Sequence, residues 1–126
     1  MSLHSTNVTR AESATAEFCV VLGTELCEVS ISAHARILGA FKYLEAKHPD
    51  ILGKVSYKKC KYYRLKNPVP IRDDVDDADI VEECLNESNL EPVSPFKSLK
   101  VLAPKLDNDH IYMVIKLPEG AHKHTC

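Results

Sequence analysis

The first strongly patterned part of the chain consists of two short runs that look like β-strands. Residues 17–22 (EFCVVL) are apolar and rich in strand-forming residues, and residues 26–31 (LCEVSI) alternate between apolar and polar positions. A turn that begins at Gly23 separates the two runs. A period of two is typical of a strand with one buried face, so the pattern predicts a β-hairpin.

A helical period follows the hairpin. Ile37, Phe41 and Leu44 recur at spacings of four and three residues, and Leu38 widens the apolar stripe. Pro49 ends the pattern, because proline removes a backbone donor and clashes with the preceding turn. The segment therefore predicts an amphipathic helix with one apolar face.

Alternation returns in residues 60–66 (CKYYRLK) and again in residues 110–117 (HIYMVIKL), where Ile111, Met113 and Ile115 alternate with the residues between them. A strand as apolar as the second one is expected in the centre of a sheet, with hydrogen bonds on both edges. We therefore predict that this last strand lies between the first and the third and runs parallel to the first. Such an order defines an α+β, ubiquitin-like β-grasp fold, with a mixed sheet of four to five strands packed on one main helix.

One helical stripe has only one sheet face to cover. We therefore expect it to pack on Ile111, Met113 or Ile115 of the last strand, while Tyr112 and Val114 are partly covered as well. The prediction places the core of the domain between the helix and this strand.

The pattern is weaker between the third strand and the last. Residues 69–71 predict a short extended piece, and Ile80, Val81 and Leu85 fit one face of a helical turn. Residues 94–102 (SPFKSLKVL) predict a short helix or turn that begins at a Ser-Pro pair.

Composition sets the boundaries of the domain. Residues 1–16 are small, polar and without period, so we predict a flexible arm there. Residues 17–118 carry the pattern and predict a single domain, and residues 119–126 predict a tail. A chain of 126 residues is long enough to bury a core without metal or disulfides.

Charge and hydropathy narrow the class of protein. The formal net charge of −2 gives no general attraction to nucleic acid or to anionic membranes. No run approaches the roughly 20 apolar residues of a membrane span. Residues 1–18 lack the apolar centre of a secretory signal, so we expect no membrane span and no recognisable signal peptide.

The cysteines predict free thiols. The chain has five, with no Cys-x-x-Cys pair among them: Cys19, Cys27, Cys60, Cys84 and Cys126. An odd number at scattered spacings does not predict a disulfide framework. Four of the five lie in apolar or strand-like settings, where a cysteine acts as a small buried hydrophobe.

A basic cluster around the third strand is the first candidate interaction site. Its aromatic residues are interleaved with cations: Lys58, Lys59, Lys61, Tyr62, Tyr63 and Arg64. Three interpretations remain open at this point. The lysines keep an edge strand soluble, or the cluster binds a protein, or its rings and cations bind nucleic acid.

An acidic cluster follows the third strand: Asp73, Asp74, Asp76 and Asp77. No glycine lies between Asp73 and Glu83, so the segment does not match a calcium loop. Carboxylates near a helix start favour the helix dipole, which makes a solvated loop one interpretation. The alternative is head-to-tail pairing with the basic cluster of a second copy, because opposite patches on different faces make a heterologous contact.

No motif of a catalyst is present in the sequence. The chain has four glycines and no glycine-rich phosphate loop, and no serine or cysteine lies in the local context of an activated nucleophile. The tail HKHTC (residues 122–126) offers ligands on a chain end, which we do not expect to form a metal site. We predict a protein that is not an enzyme, without cofactor or metal.

The ordered series of motifs resembles the N-terminal header domain of Crinkler effectors, especially the fungal type, over about residues 17–119. The segments that carry the resemblance are EFCVVLG, the helix ended by KHP, YYRLKNPVPIRDD, LEPVSPFKSLKVL and DHIYMVIKLPEG. The leucine-phenylalanine-leucine-alanine-lysine signature of the oomycete branch is absent.

The resemblance implies a function. A Crinkler header domain is ubiquitin-like and without catalysis of its own, and it acts in delivery and protein-protein interaction. It belongs to a secreted, host-translocated protein of virulence or symbiosis, whose C-terminal domains act in the host cell nucleus. Residues 119–126 would then begin the linker to a C-terminal effector domain. The alternative is a cytosolic adaptor that self-assembles, for example as a homodimer, by head-to-tail pairing of its basic and acidic clusters.

Overall fold

The computed structural model describes residues 14–118. Its strands and helices, in chain order, are β1 (Thr15–Leu22), β2 (Glu25–Ser32), α1 (Ile37–Lys47), α2 (Pro49–Leu52), β3 (Lys61–Pro70), α3 (Asp77–Cys84), β4 (Leu90–Pro92) and β5 (His110–Lys116). β1 begins at Thr15, so residues 15 and 16 belong to the sheet and not to the predicted arm. The rest of that arm up to residue 13, and the predicted tail with Cys126, lie outside the described residues.

The five strands form one mixed sheet in the order β2-β1-β5-β3-β4. β5 pairs with β1 in parallel and with β3 in antiparallel orientation. The prediction that the last strand lies between the first and the third, parallel to the first, is therefore confirmed. The α+β architecture is compatible with a β-grasp layout.

The β1–β2 hairpin is closed by a turn that needs a glycine. Gly23 adopts a φ of 66°, in the left-handed region where a side chain is strained. Its backbone N–H donates to the carbonyl of Ile115 at 2.9 Å. The turn is thereby fixed against the end of the central strand.

The apolar face of α1 covers one face of the sheet, as predicted. Phe41 and Leu44 are buried in the same core cluster as Met113 and Ile115 of β5. Ile111 is an exception, because it lies in a second cluster on the opposite face. Of the three residues named in the prediction, the helical stripe therefore shares its cluster with Met113 and Ile115.

A bulge in β5 explains the exception. Cys19 of β1 pairs with Ile111, but the next residue, Val20, pairs with Met113, so Tyr112 is an extra residue in the strand. Tyr112 and Met113 consequently lie in the same cluster under α1. The alternation of apolar positions is broken at this one residue.

The opposite face of the sheet is covered by a second helix. The predicted helical turn around residue 80 is the eight-residue helix α3, which buries Ile80, Val81 and Cys84. These side chains share a cluster with Val21 and Val114 of the central strands. The sheet therefore packs on two helices, where the sequence predicted one.

Candidate interaction surfaces

The lysines of the predicted basic cluster lie at one end of the sheet. Lys58 and Lys59 form part of a 3₁₀ turn that precedes β3, and Lys61 is the first residue of that strand. Lys61 pairs with Lys116, the last residue of β5. We call these four residues the basic end. Within residues 14–118 none of them has a carboxylate partner in an ion pair.

Of the two tyrosines in the predicted cluster, only Tyr63 reaches the surface. Lys116 Nζ lies 5.2 Å from the centre of the Tyr63 ring, in a cation–π contact. Tyr62 is 5% exposed, and its hydroxyl donates to the carbonyl of Tyr57 at 3.0 Å. Burial raises the pKa of Tyr62. This placement corrects the interpretation of Tyr62 as a surface contact, since the ring belongs to the core.

Arg64 is engaged inside the domain. Its guanidinium forms an ion pair with Glu91 of β4, and Nη1 donates to the carbonyl of Val101 at 3.2 Å. The hydrogen bond from Arg64 lowers the pKa of Glu91. Arg64 therefore ties β3 to its neighbours, and the lysines are the cations left for a partner.

β3 is not an edge of the sheet. It pairs with β5 on one side, and on the other side Tyr63 and Leu65 pair with Pro92 and Leu90 of β4. The edges are β2 and β4. The interpretation of β3 as an edge strand therefore does not hold for Tyr63–Leu65, while Lys61 lies outside the three residues that pair with β4.

The acidic cluster lies beyond the opposite end of β3. Asp73 and Asp74 occupy the turn after that strand, Asp76 is the N-cap of α3, and Asp77 is in the first turn of the helix. All four carboxylates are exposed. We call this group the acidic end. Its position at a helix N-terminus is favourable, because the helix dipole is positive there.

A neighbouring loop adds further acidic residues. The N–H of Ile71 donates to the carbonyl of Asp109 at 2.8 Å, which places the start of the acidic segment beside residues 107–110. In that loop Asp107 Oδ1 lies 3.0 Å from His110 Nδ1, and this hydrogen bond lowers the pKa of Asp107. The carboxylates of Asp107 and Asp109 therefore extend the negative region.

The two charged ends are well separated. The first and last residues of β3, Lys61 and Pro70, pair with Lys116 and His110 at the two ends of the seven-residue β5, so at about 3.3 Å per residue they are on the order of 20 Å apart. This separation exceeds the Debye length of roughly 8 Å at physiological ionic strength. The basic and acidic ends therefore do not neutralise each other within one molecule.

A third surface was not predicted as a site from the sequence. Phe96 is 54% exposed, and its ring centre is 6.1 Å from that of Tyr57. Lys42 Nζ lies 5.8 Å from the centre of the Tyr57 ring. We call Phe96, Tyr57 and Lys42 the Phe96 surface. Apolar spacing alone does not show that Phe96 faces solvent, because the same spacing fits the inner face of a turn.

The described cysteines are free and buried, as predicted: Cys19, Cys27, Cys60 and Cys84. Burial raises the thiol pKa of Cys19, Cys27 and Cys60 to about 11. The same effect raises that of Cys84 to about 12. A reactive thiol needs the opposite shift, so these side chains are protonated packing groups at neutral pH.

No known family profile, curated protein or solved structure matches this chain. Among residues 14–118, no helix is long and apolar enough to cross a membrane. The same residues contain no group of three or more histidine, cysteine or acidic side chains placed to hold a metal ion.

Proposed function

We propose that this chain is a non-catalytic, ubiquitin-like header domain of the Crinkler type, which serves delivery and protein-protein interaction. The observation that carries the proposal is the position of β5, between β1 and β3 and parallel to β1. This is the strand order of a β-grasp domain, and the series of motifs that resembles Crinkler effectors follows it along the chain.

The chemistry of the described residues supports an interaction role. The polar and charged side chains lie at the surface, and the buried set within residues 14–118 is apolar apart from thiols and two tyrosines. The largest pKa shifts are upward shifts of buried thiols and of Tyr62. These shifts follow from burial in the core, whereas catalytic groups are tuned toward the working pH.

The transcript tests the proposal directly. We expect the reading frame to continue past Cys126 into a domain with nuclease or NTPase character, which is the arrangement that a Crinkler effector requires. Sequencing of the complete transcript gives the answer. A stop codon immediately after Cys126 would contradict the Crinkler-type proposal and favour the second candidate function.

The second candidate is self-assembly by head-to-tail pairing, and the bipolar charge distribution favours it. The basic end and the acidic end lie at opposite ends of β3, so the contact of one copy leaves its other end open for the next. Opposite patches of this kind steer association and fix its orientation.

Sedimentation velocity at low and high salt tests the second candidate. We expect Lys59→Glu/Lys61→Glu and Asp73→Lys/Asp74→Lys each to be monomeric alone and to associate when mixed, because the unchanged ends of the two variants remain complementary. The aspartates are chosen in the turn so that the N-cap of α3 stays intact. Salt should dissociate the wild type, as the Debye length falls from about 10 Å at 0.1 M to about 3 Å at 1 M. A monomer in every condition would exclude self-assembly.

A further inference from the structure

Phe96 is presented to solvent by a turn that cannot easily relax. The N–H of Ile37 donates to the carbonyl of Lys97 at 2.9 Å, and that of Leu38 donates to the carbonyl of Pro95 at 2.7 Å. Arg36, the N-cap of α1, makes no side-chain cap, so these two carbonyls satisfy the first N–H groups of the helix. These two hydrogen bonds fix the backbone on both sides of Phe96 against the start of α1.

The Ser-Pro-Phe-Lys turn also has hydrogen bonds of its own. The N–H of Phe96 donates to Ser94 Oγ at 3.1 Å, and the N–H of Lys97 donates to the Ser94 carbonyl at 3.1 Å. The backbone that carries the Phe96 ring is thus held in place before any partner arrives. A preorganised aromatic group loses little conformational entropy on binding.

The exposed ring rests on aromatic residues that reach into the core. The Phe96 and Tyr57 rings meet edge to face, with an interplanar angle of 88°. Tyr57 in turn lies 6.5 Å from Phe41, a buried residue of α1, at 63°. The exposed Phe96 ring therefore offers an apolar contact that is supported from below by other rings. The formal net charge of −2 gives no general attraction to nucleic acid, which favours a peptide as the ligand.

Lysines lie beside these two rings. Lys42 lies over the Tyr57 ring, Lys58 and Lys59 follow Tyr57 in the chain, and Lys97 follows Phe96. All four lysines are exposed and lack an ion-pair partner within the described part of the chain. An apolar centre with a rim of one charge is complementary to a ligand with an apolar anchor and the opposite charge around it.

We propose that the Phe96 surface binds an acidic peptide segment of a partner protein. A leucine or phenylalanine of that peptide packs on the exposed Phe96 ring, and neighbouring carboxylates contact Lys42 and the lysines beside it. This inference rests on the proposed role as an interaction module and specifies the chemistry of its partner.

An array of synthetic peptides tests the binding chemistry. Its members carry aspartate or glutamate around one leucine or phenylalanine, and matched peptides replace either the carboxylates by amides or the apolar residue by serine. We expect the domain to bind the acidic peptides with an apolar anchor and neither matched set. An oligo-dT probe measures the competing class of ligand, and tighter binding of oligo-dT than of any peptide would overturn the proposal.

Variants of the domain locate the site, with fluorescence anisotropy on the best peptide as the readout. We expect Phe96→Ser and Lys42→Glu each to weaken binding by roughly tenfold or more, as for the central residues of an interface. Phe96→Tyr keeps the ring and should bind like the wild type. Lys66→Glu, an exposed lysine in the middle of β3, is the matched control for charge.

The binding measurements test only whether the Phe96 surface binds acidic peptides. Whether the chain is a Crinkler-type domain is tested separately, by the reading frame past Cys126. Unchanged binding by Phe96→Ser, equal loss in Lys66→Glu, or no binding of any peptide by the wild type would overturn the peptide site. Phe96 lies outside the core cluster, so we expect each variant to unfold in urea at the same midpoint as the wild type. A loss of binding then comes from the changed surface and not from unfolding.

Discussion

The two faces of the sheet differ in how they are built. The α1 face contains the buried aromatic residues: Phe18, Phe41, Tyr62 and Tyr112. The α3 face is built from aliphatic side chains and the thiols of Cys19 and Cys84. One face thus has large rings that interlock at edge-to-face angles, and the other has small side chains under a short helix.

This difference shows how the acidic end depends on packing. A helix of eight residues is marginal by itself in water, so α3 is held by the burial of its three apolar side chains. Asp76 and Asp77 at its start are then placed by the contacts of Ile80 and Val81. In the basic end, in contrast, Lys61 and Lys116 are positioned by the hydrogen-bonded pairing of β3 with β5.

The largest effect is expected on the α1 face. Phe41 is 1% exposed, so Phe41→Ala should lower the free energy of unfolding by roughly 3–5 kcal/mol, because it removes a ring and leaves a cavity. Urea unfolding measures the change. An unchanged midpoint would remove Phe41 from the core and α1 from its position.

A somewhat smaller loss is expected on the α3 face. Ile80 is fully buried, and Ile80→Ala should cost about 2–5 kcal/mol. Since the two residues lie in separate clusters on opposite faces, the double variant with Phe41→Ala should show additive losses within about 0.5 kcal/mol. A large coupling between the two sites would mean that the faces are not independent.

Alkaline pH should weaken both faces through the thiols. Burial holds their pKa at about 11 to 12, against an ordinary value of roughly 8.5 in an unfolded chain. The stabilisation linked to the protonated thiols is therefore fully present below about pH 8.5. It is lost as the pH rises through the thiol pKa values of the folded protein, because the thiols of the unfolded chain lose their protons first. Urea midpoints at pH 8 and pH 10 measure the fall.

Replacement of one thiol is the control for that pH dependence. Cys84 on the α3 face has the highest pKa of the four, so Cys84→Ala should reduce the slope of stability against pH above 9. The same slope in wild type and variant would show that other groups, such as tyrosines, cause the alkaline loss.

The smallest effect is expected at the start of α3. Asp77→Asn removes a carboxylate from the first helical turn and should lower stability by about 0.3–1 kcal/mol, through the helix dipole. Asp50→Asn, a matched change in the four-residue helix α2, should have less effect because that dipole is short. Stabilisation by Asp77→Asn would contradict the placement of this residue.

Periodicity was sufficient for the main helix and for the strand order. The stripe of Ile37, Phe41 and Leu44, and the continuous apolarity of β5, each follow from burial on a known period. The bulge at Tyr112 could not be predicted, because an extra apolar residue leaves the alternation looking regular. The shift is imposed by pairing with β1 and β3, which is a tertiary effect.

The sequence predicted the charge of the candidate sites, but it did not predict which of their aromatic side chains are exposed. Clusters of lysine and aspartate are visible in the sequence and lie at the surface as expected. The sequence does not show that Tyr62 is buried while Tyr63 is partly exposed. Alternation along β3 places the two rings on opposite faces of the sheet, and both faces are covered. The exposure of Phe96 depends on hydrogen bonds to α1, a segment distant in sequence.

The central structural claim is that β5 lies in the middle of a sheet whose two faces are both covered, which leaves the charged ends and the Phe96 surface for partners. Nuclear Overhauser contacts between labelled methyl groups test it most directly. We predict contacts from Ile115 to Leu44 on the α1 face, and from Val114 to Ile80 or Val81 on the α3 face. Contacts of Val114 with α1, or the absence of any contact between α3 and the sheet, would contradict this arrangement.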